Sequence, residues 1–294
     1  MPSSGTEEVP GGAPHPPAYP SAGSGPWHDG PSRTDAPGGP ATRADGFVWV
    51  LFAAIGFLIG QVVALIAISV AAGVTGNGSR ITAIENLSAP PAWYIASGLV
   101  GLWVGFALGP VLASRVRGTR DLVADLGIVF RPVDLWGIAI GIGGQLLVTL
   151  IYLPFQSHLH DFNAPTTKLT GGAHGTTFLV ISVLTVVGAP FFEELFFRGL
   201  LFRGLLGLVG GSGWRVRTGV ARVVIVGLAV VADGALFGLA HGELEQLAGL
   251  AVFGCILAYV AFRTGRLGMN MVSHATFNLV AVLAIAHNRS GVIH

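Results

Sequence analysis

The stretch FVWVLFAAIGFLIGQVVALIAISVAAGV, from Phe47 to Val74, decides the fold because it contains no charged side chain. A helix that crosses the hydrocarbon core of a bilayer needs about 20 mainly apolar residues in a row. In lipid, every backbone polar group must be satisfied internally, and a continuous apolar run of this length does so as a helix. The stretch therefore predicts a transmembrane helix.

Six further apolar segments follow it along the chain. They are Ala92–Ser114, the glycine-rich Leu135–Phe155, Thr176–Phe192 with a charged helical continuation, Val223–Ala240, Leu247–Phe262 and Leu267–Ala286. The predicted fold class is all-α, a polytopic transmembrane helical bundle of seven spans, or eight if the long fourth segment is divided. We expect an integral, multi-pass membrane protein that is in contact with the lipid bilayer.

The overall composition agrees with this prediction. Only 11% of the residues are charged, against about 25% in a soluble domain, so lipid must cover part of the surface. The formal net charge of +1 argues against a nucleic-acid partner. Cys255 is the single cysteine, which excludes a disulfide framework.

Residues 1–45 form a separate compositional region. They hold ten of the seventeen prolines, together with many glycines, and cannot bury enough apolar surface to offset the entropy of ordering. We predict a disordered Pro/Gly-rich tail. It is not a signal peptide, because the first apolar run begins only at Phe47.

The basic residues predict the orientation of the bundle. If the N-terminus is cytoplasmic, twelve of the sixteen Lys and Arg residues fall in cytoplasmic segments, three fall in outer segments, and Arg198 lies within the fourth helix. Positive charge is enriched on the cytoplasmic side of membrane proteins. A cytoplasmic N-terminus is therefore predicted.

Ionisable groups within membrane segments are candidates for function, and the first cluster of them lies at the end of the fourth segment. Glu193 and Glu194 are flanked by four phenylalanines. On a helix they point about 100° apart, and Glu194 has Arg198 at i+4, the favoured order for an ion pair. This pairing would leave Glu193 free for chemistry. An ordinary ion pair at a helix end would explain the cluster equally well.

Two further clusters follow. His241 closes an apolar run in the pattern Phe237-x-x-x-His241, and the last span contains His274-x-x-x-Asn278. His274 and Asn278 share one helix face, which should point inward because polar groups in lipid are costly. Taken singly, each cluster could serve only hydrogen bonding between helices.

In order and spacing, the three clusters resemble the motifs of the CPBP family, also called Abi, which contains the CAAX prenyl endopeptidases and bacterial relatives linked to bacteriocin immunity. The resemblance covers about Thr176–Ala286, and Glu193-Glu194-Leu195-Phe196-Phe197-Arg198-Gly199 is its most specific part. It implies a catalytic transmembrane core over residues 171–288. The first two spans lie outside the resemblance, and we predict N-terminal transmembrane helices over residues 46–170 and a short tail over 289–294.

The resemblance implies proteolysis of a membrane protein or lipidated peptide, since the eukaryotic relatives remove a C-terminal tripeptide after a prenylated cysteine. In this interpretation Glu193 activates the water, and His241 orients the water or passes on its proton. His274 and Asn278 donate to the oxyanion. Glu194 and Arg198 hold the helix and the local charge.

Zinc chemistry with the same residues is the alternative mechanism. Glu193, His241 and His274 have the donor types of a zinc peptidase with one open position. The helical signature His-Glu-x-x-His is absent, however, and Asn278 is a poor zinc ligand. We therefore predict a metal-free mechanism and favour no cofactor.

Two other functions remain open at this point: a non-catalytic membrane scaffold or immunity-type protein, and a small-solute transporter, although no internal repeat typical of transporters is found.

The predicted depth of His241 in the membrane is difficult to reconcile with that of Glu193. His241 comes about 18 residues after Val223, or roughly 27 Å of helix, which would place it near the outer face and away from Glu193. A helix break near Asp233-Gly234, a steep tilt or a deeper Glu193 would reconcile them.

Overall fold

The structure, a computed structural model, describes residues 42–85, 87, 90–155, 173–211 and 218–291, and the regular elements among these residues are all helical. Most of the predicted N-terminal tail, and residues 292–294 of the predicted C-terminal tail, lie outside the described residues. The side chains of residues 288–291 lie outside them as well.

Seven helices among the described residues are long and apolar enough to cross a membrane. They are α1 (Arg43–Val74), α2 (Ala92–Arg117), α3 (Pro132–Phe155), α4 (Gly175–Gly210), α5 (Gly219–Ala240), α6 (Leu247–Thr264) and α7 (Gly268–Gly291). The prediction of a polytopic helical bundle with seven spans is thus confirmed, and the long fourth segment is one span.

Glycines allow α1 and α2 to pack backbone against backbone. A Cβ atom on Gly105 would collide with the carbonyl of Gly56 and the amide of Gly60, and one on Gly101 would collide with the backbone of Ala64. Small residues are the usual means of close helix packing in membranes. Because these contacts run along both helices in opposite directions, α1 and α2 form an antiparallel pair.

This pair supports the middle of α4 through aromatic contacts. The ring of Trp103 stacks on Phe192 with 4.9 Å between centroids, and Phe106 stacks on Phe196 at 4.2 Å. The edge of Trp103 also fills the space that a side chain at Gly188 would occupy. The N-terminal helices therefore form one wall of the α4 segment that carries the two glutamates.

Two stretches of α4, Leu184–Gly188 and Leu195–Leu201, are wound as π-helix, on either side of the α-helical turn Ala189–Glu194. Pro190 in that turn has no backbone N–H to donate. Each π turn adds a residue to the helical repeat and so changes the face that later side chains present. Such turns are frequent at functional sites.

The remaining helices enclose the other side of α4. Helices α5 and α6 form an antiparallel hairpin in which Gly234 contacts Ala251 and Cys255. Helix α7 packs against α6, where the Asn270 amide donates to the carbonyl of Leu257, and against α3, where Gly141 contacts the backbone of Ser273.

Polar contacts fix the end of the bundle that contains Arg43. The Arg203 guanidinium donates to the carbonyls of Leu126 and Gly265, each at 3.0 Å. Arg266 pairs with Asp134 at 2.7 Å. These bonds tie the loop before α3 to the turn between α6 and α7, and so set the height of α7 relative to α4.

The structure resolves the difficulty over the depth of His241. Helix α5 is unbroken over Gly219–Ala240, so no break at Asp233-Gly234 occurs. Glu193 instead lies deep, 18 residues after Gly175 in α4, or about 27 Å of helix. The turn between α5 and α6 is therefore at half the height of α4, at the level of Glu193.

Candidate active site

Glu193 faces two histidines that come from different helices. Its Oε2 lies 3.9 Å from Nε2 of His241, at the end of α5, and 3.8 Å from Nε2 of His274, in α7. The side chains of Glu193 and His274 are 13% and 4% exposed, whereas that of His241 is 33% exposed. The three residues are thus brought together, and the group is open on the His241 side.

Glu194 points the other way and is completely buried. Its Oε1 accepts from Nη1 of Arg198 at 3.0 Å and from Nδ1 of His274 at 2.8 Å, and its Oε2 accepts from the Asn270 amide at 3.3 Å. The predicted ion pair with Arg198 is confirmed. The hydrogen bond to His274 was not predicted, and it makes Glu194 the partner that orients this histidine.

The Arg198 guanidinium is held on every side. Besides Glu194, its Nη2 donates to the carbonyl of Gly254 at 3.1 Å, and its Nε lies 3.4 Å from Oδ2 of Asp233. The Phe237 ring covers the cation, with 4.4 Å from Cζ to the ring centroid. A buried charge requires such compensation, so Asp233 is part of the shell around the site.

Phe237 also packs against both histidines. The centroid of its ring is 4.7 Å from that of His241 and 5.6 Å from that of His274. The ring of the motif residue Phe237 therefore lies between the Arg198 guanidinium and the rings of His241 and His274.

Hydrogen bonding determines which nitrogen of each histidine carries the proton. Nδ1 of His241 is 2.8 Å from the carbonyl of Phe237, which can only accept, so this nitrogen donates. Nδ1 of His274 likewise donates to the ionised Glu194. In the neutral state, both Nε2 atoms therefore present lone pairs towards Glu193.

The centre of the group thus consists of three acceptors: two lone-pair nitrogens and Glu193 Oε2, which has no hydrogen-bond partner among the described residues. A bound water would supply the missing donors, because an oxygen at about 2.8 Å reaches both Glu193 Oε2 and either Nε2. With both histidines neutral, the group therefore offers acceptors whose hydrogen bonds a bound water would satisfy.

The same donor types suit zinc, but their spacing is wide for it. Ligands placed 2.0–2.2 Å from a tetrahedral ion lie about 3.4 Å from each other, whereas Glu193 Oε2 is 3.8 and 3.9 Å from the nitrogens. Within the described part of the chain, no three His, Cys, Asp or Glu side chains form a group that could hold a metal ion. Metal independence stays a prediction.

Asn278 lies one turn beyond His274 and makes a contact that was not predicted. Its amide donates to the carbonyl of Thr185 at 2.8 Å, in the first π-helical stretch of α4. The bond joins α7 to α4. An amide nitrogen carries two hydrogens, so one remains for a substrate, and the predicted oxyanion role of Asn278 stays a prediction.

Asn270 is the residue of this site that the sequence analysis missed. It is fully buried and bonds to Glu194 and to the carbonyl of Leu257. Its position four residues before His274 was a usable signal, because Asn270, His274 and Asn278 lie on one face of α7. Asp233, Phe237 and His241 share one face of α5 in the same way.

The comparisons with known proteins agree with the motifs. Residues 175–280 match the family model for the Rce1-like type II CAAX prenyl endopeptidases. The match spans all three motifs, covers about a third of the chain, and confirms the resemblance predicted from them. No curated protein and no solved structure matches the chain at a significant level. At the level of the family, the match supports an intramembrane protease of the CAAX type.

Proposed function

We propose that the chain is an intramembrane endopeptidase that hydrolyses a peptide bond of a membrane-associated substrate, with Glu193 as the general base. One observation carries the proposal. The unpartnered Oε2 of Glu193 faces Nε2 of His241 and His274 at half the height of the bundle. A carboxylate beside two histidines has the components for activating a water.

In the first step, a water held by Glu193 and His241 attacks the scissile carbonyl carbon. Its proton passes to Glu193, and the C=O electron pair moves to the oxygen. For this step His274 first takes up a proton at Nε2 from water; it then donates from Nε2 to this oxyanion, and the Glu194 carboxylate at Nδ1 stabilises the imidazolium. Asn278 supplies the second donor. In the second step, the C–N bond breaks and Glu193 returns the proton to the leaving amine.

The depth of the site supports a substrate that enters from the membrane. Glu193 is about 27 Å of helix away from Gly175, so the scissile bond must reach the middle of the bundle. A lipid anchor would hold a peptide at such a site. We therefore propose a lipidated peptide, in the first instance a prenylated CAAX-type peptide as in the family's name.

We propose that this chemistry needs no metal, on the strength of the wide spacing between Glu193 and the two histidines. A bound zinc would polarise the carbonyl and the water, and Glu193, His241 and His274 would hold it. The purified full chain should contain substoichiometric zinc and keep its activity with a strong chelator. One zinc per chain, with activity lost on chelation and restored by zinc, would overturn this part of the proposal.

The proposed function is tested with the full chain in lipid vesicles and a fluorogenic farnesylated CAAX peptide, beside the same peptide without the farnesyl group. Glu193→Gln should abolish cleavage, and the control Glu245→Gln, in the turn after His241, should cleave like the unchanged chain. Cleavage that survives in Glu193→Gln contradicts the proposal. Equal rates on the two peptides contradict only the prenylated substrate. The comparisons lend no support to a non-catalytic scaffold.

A further inference from the structure

We propose that Asn270, which lies outside the three motifs, is a positioning residue for the reaction: it fixes the Glu194 carboxylate, and through it the orientation of His274. The inference rests on the proposed function for its kinetic consequence, and on geometry alone for its structural one. Asn270 touches neither Glu193 nor the reacting atoms in this scheme, and acts only through Glu194.

The two oxygens of Glu194 have different hydrogen-bond partners. Oε1 is shared by Arg198 and His274, at 3.0 and 2.8 Å, whereas Oε2 receives the Asn270 amide at 3.3 Å. A carboxylate fixed at one oxygen can still turn about its last torsion, which is broad. The bond at Oε2 removes that freedom and keeps Oε1 directed at Nδ1 of His274.

Asn270 is itself anchored to helix α6. Its Nδ2 also donates to the carbonyl of Leu257 at 2.7 Å, and Arg198 donates to the carbonyl of Gly254, one turn earlier in α6. Helix α6 contributes no motif side chain, yet two of its backbone carbonyls accept hydrogen bonds from Arg198 and Asn270, which both also bond to Glu194. The position of the Glu194 carboxylate therefore depends on the α6 backbone.

Ser273, a neighbouring residue of α7, serves as a comparison. Ser273 is equally buried in α7, but its hydroxyl donates to Met269 within the same helix, and its backbone packs against α3. Burial of a polar side chain in this helix therefore does not by itself bring it into contact with the site. The contact of Asn270 with Glu194 is specific to its position.

The kinetic test compares Asn270→Leu, which keeps the branching and the number of side-chain heavy atoms and removes the amide, with Ser273→Ala as the matched control. At metal sites, loss of a partner that orients a histidine ligand costs about 10- to 100-fold in metal affinity or activity, and we take that range as the reference for His274. We expect kcat per folded molecule to fall in that range with little change in KM, and Ser273→Ala to stay unchanged. The proposal would be overturned if Asn270→Leu folds and keeps kcat within about twofold of the unchanged chain. It would also be overturned if the activity of Asn270→Ala fell only in proportion to the fraction of folded protein.

A second readout does not depend on activity. In protein labelled with 15N-histidine, the His274 signal is identified by its loss in His274→Gln, and its tautomer is read from the ring nitrogens. At a pH at which His274 is neutral, we expect the Nδ1–H tautomer in the unchanged chain and in Ser273→Ala, and a mixture in Asn270→Leu. An unchanged tautomer in Asn270→Leu refutes the positioning role. If the unchanged chain cleaves no peptide, the proposed function fails, and the tautomer alone decides on Asn270.

Discussion

Adjacent in sequence, Glu193 and Glu194 have opposite surroundings, and this difference assigns them different roles. Glu194 is fully buried and accepts hydrogen bonds from Arg198, His274 and Asn270. Among the residues that the structure describes, Glu193 Oε2 has no hydrogen-bond partner and lies 3.8 and 3.9 Å from histidine nitrogens. The first arrangement is structural and orienting, and the second leaves a carboxylate oxygen available for a water.

Replacing each glutamate by glutamine should therefore give different defects. Glu194→Gln leaves Arg198 with Asp233 as its remaining carboxylate partner, and removing one member of a buried ion pair costs roughly 3 kcal/mol. We expect a clearly lower free energy of unfolding for Glu194→Gln in detergent, measured by denaturant titration. Glu193→Gln should unfold close to the unchanged chain although it is inactive. Equal stability losses in both variants would contradict this division.

At the residue scale, motif spacing predicted Glu193, Glu194, Arg198, Phe237, His241, His274 and Asn278 as one group, and the structure places Glu193 beside both histidines. The hydrogen bond from His274 to Glu194 could not be predicted, because the direction in which each glutamate points depends on the π-helical winding of α4. No local sequence rule gives that winding. Asn270 was missed because it belongs to none of the motifs.

At the scale of the helices, the apolar runs located all seven spans but not their full length. Helix α1 begins at Arg43 rather than Phe47, and α2 ends at Arg117 rather than Ser114. Hydropathy detects the part of a helix within lipid, whereas the backbone continues its hydrogen bonds beyond it. At its start, α1 gains a capping box between Thr42 and Asp45, which stabilises a helix end in water.

The close contact of α1 with α2 predicts a strong effect for a very small change. A methyl group at Gly105 would be forced into the backbone of Gly56 and Gly60. Overpacking typically costs about 1–3 kcal/mol. Gly105→Ala should lower the unfolding midpoint in detergent, whereas Gly143→Ala, a glycine on α3 with no atom in its way, should leave it unchanged or slightly higher. Equal unfolding midpoints for both variants would show that α1 and α2 can move apart without a loss of stability.

At the scale of the whole molecule, the height of the α5–α6 turn could not be predicted from segment lengths. Helix α4 continues about 27 Å beyond Glu193 towards Gly175, and α7 about 25 Å beyond His274 towards Gly291. The hairpin ends at the site, so its turn lies at half the height of α4. Counting residues assumes that all helices end at the same height, and the α5–α6 turn does not follow that assumption.

The charges at the two ends of the bundle predict its orientation in the membrane. Nine arginines of the described chain lie at the end that contains Arg43, and only Arg80 and Arg289 lie in elements at the end that contains Val74. The nine are Arg43, Arg115, Arg117, Arg120, Arg131, Arg203, Arg222, Arg263 and Arg266. Arg33, Lys168, Arg215 and Arg217, which also entered the prediction, lie outside the described residues.

Because positive charge is retained on the cytoplasmic side, we propose that the Arg43 end, and with it the N-terminus, is cytoplasmic.

Val74 and Val116 are exposed at opposite ends of the α1–α2 pair, and Cys255 is the single natural cysteine. In a Cys255→Ala background, Val74→Cys should react with a membrane-impermeant maleimide added to intact cells. Val116→Cys should react only after the cells are opened, and Cys255→Ala alone gives the background. Labelling of Val116→Cys in intact cells, with Val74→Cys protected, would establish the inverted orientation and place the long arms of α4 and α7 beyond the site on the cytoplasmic side.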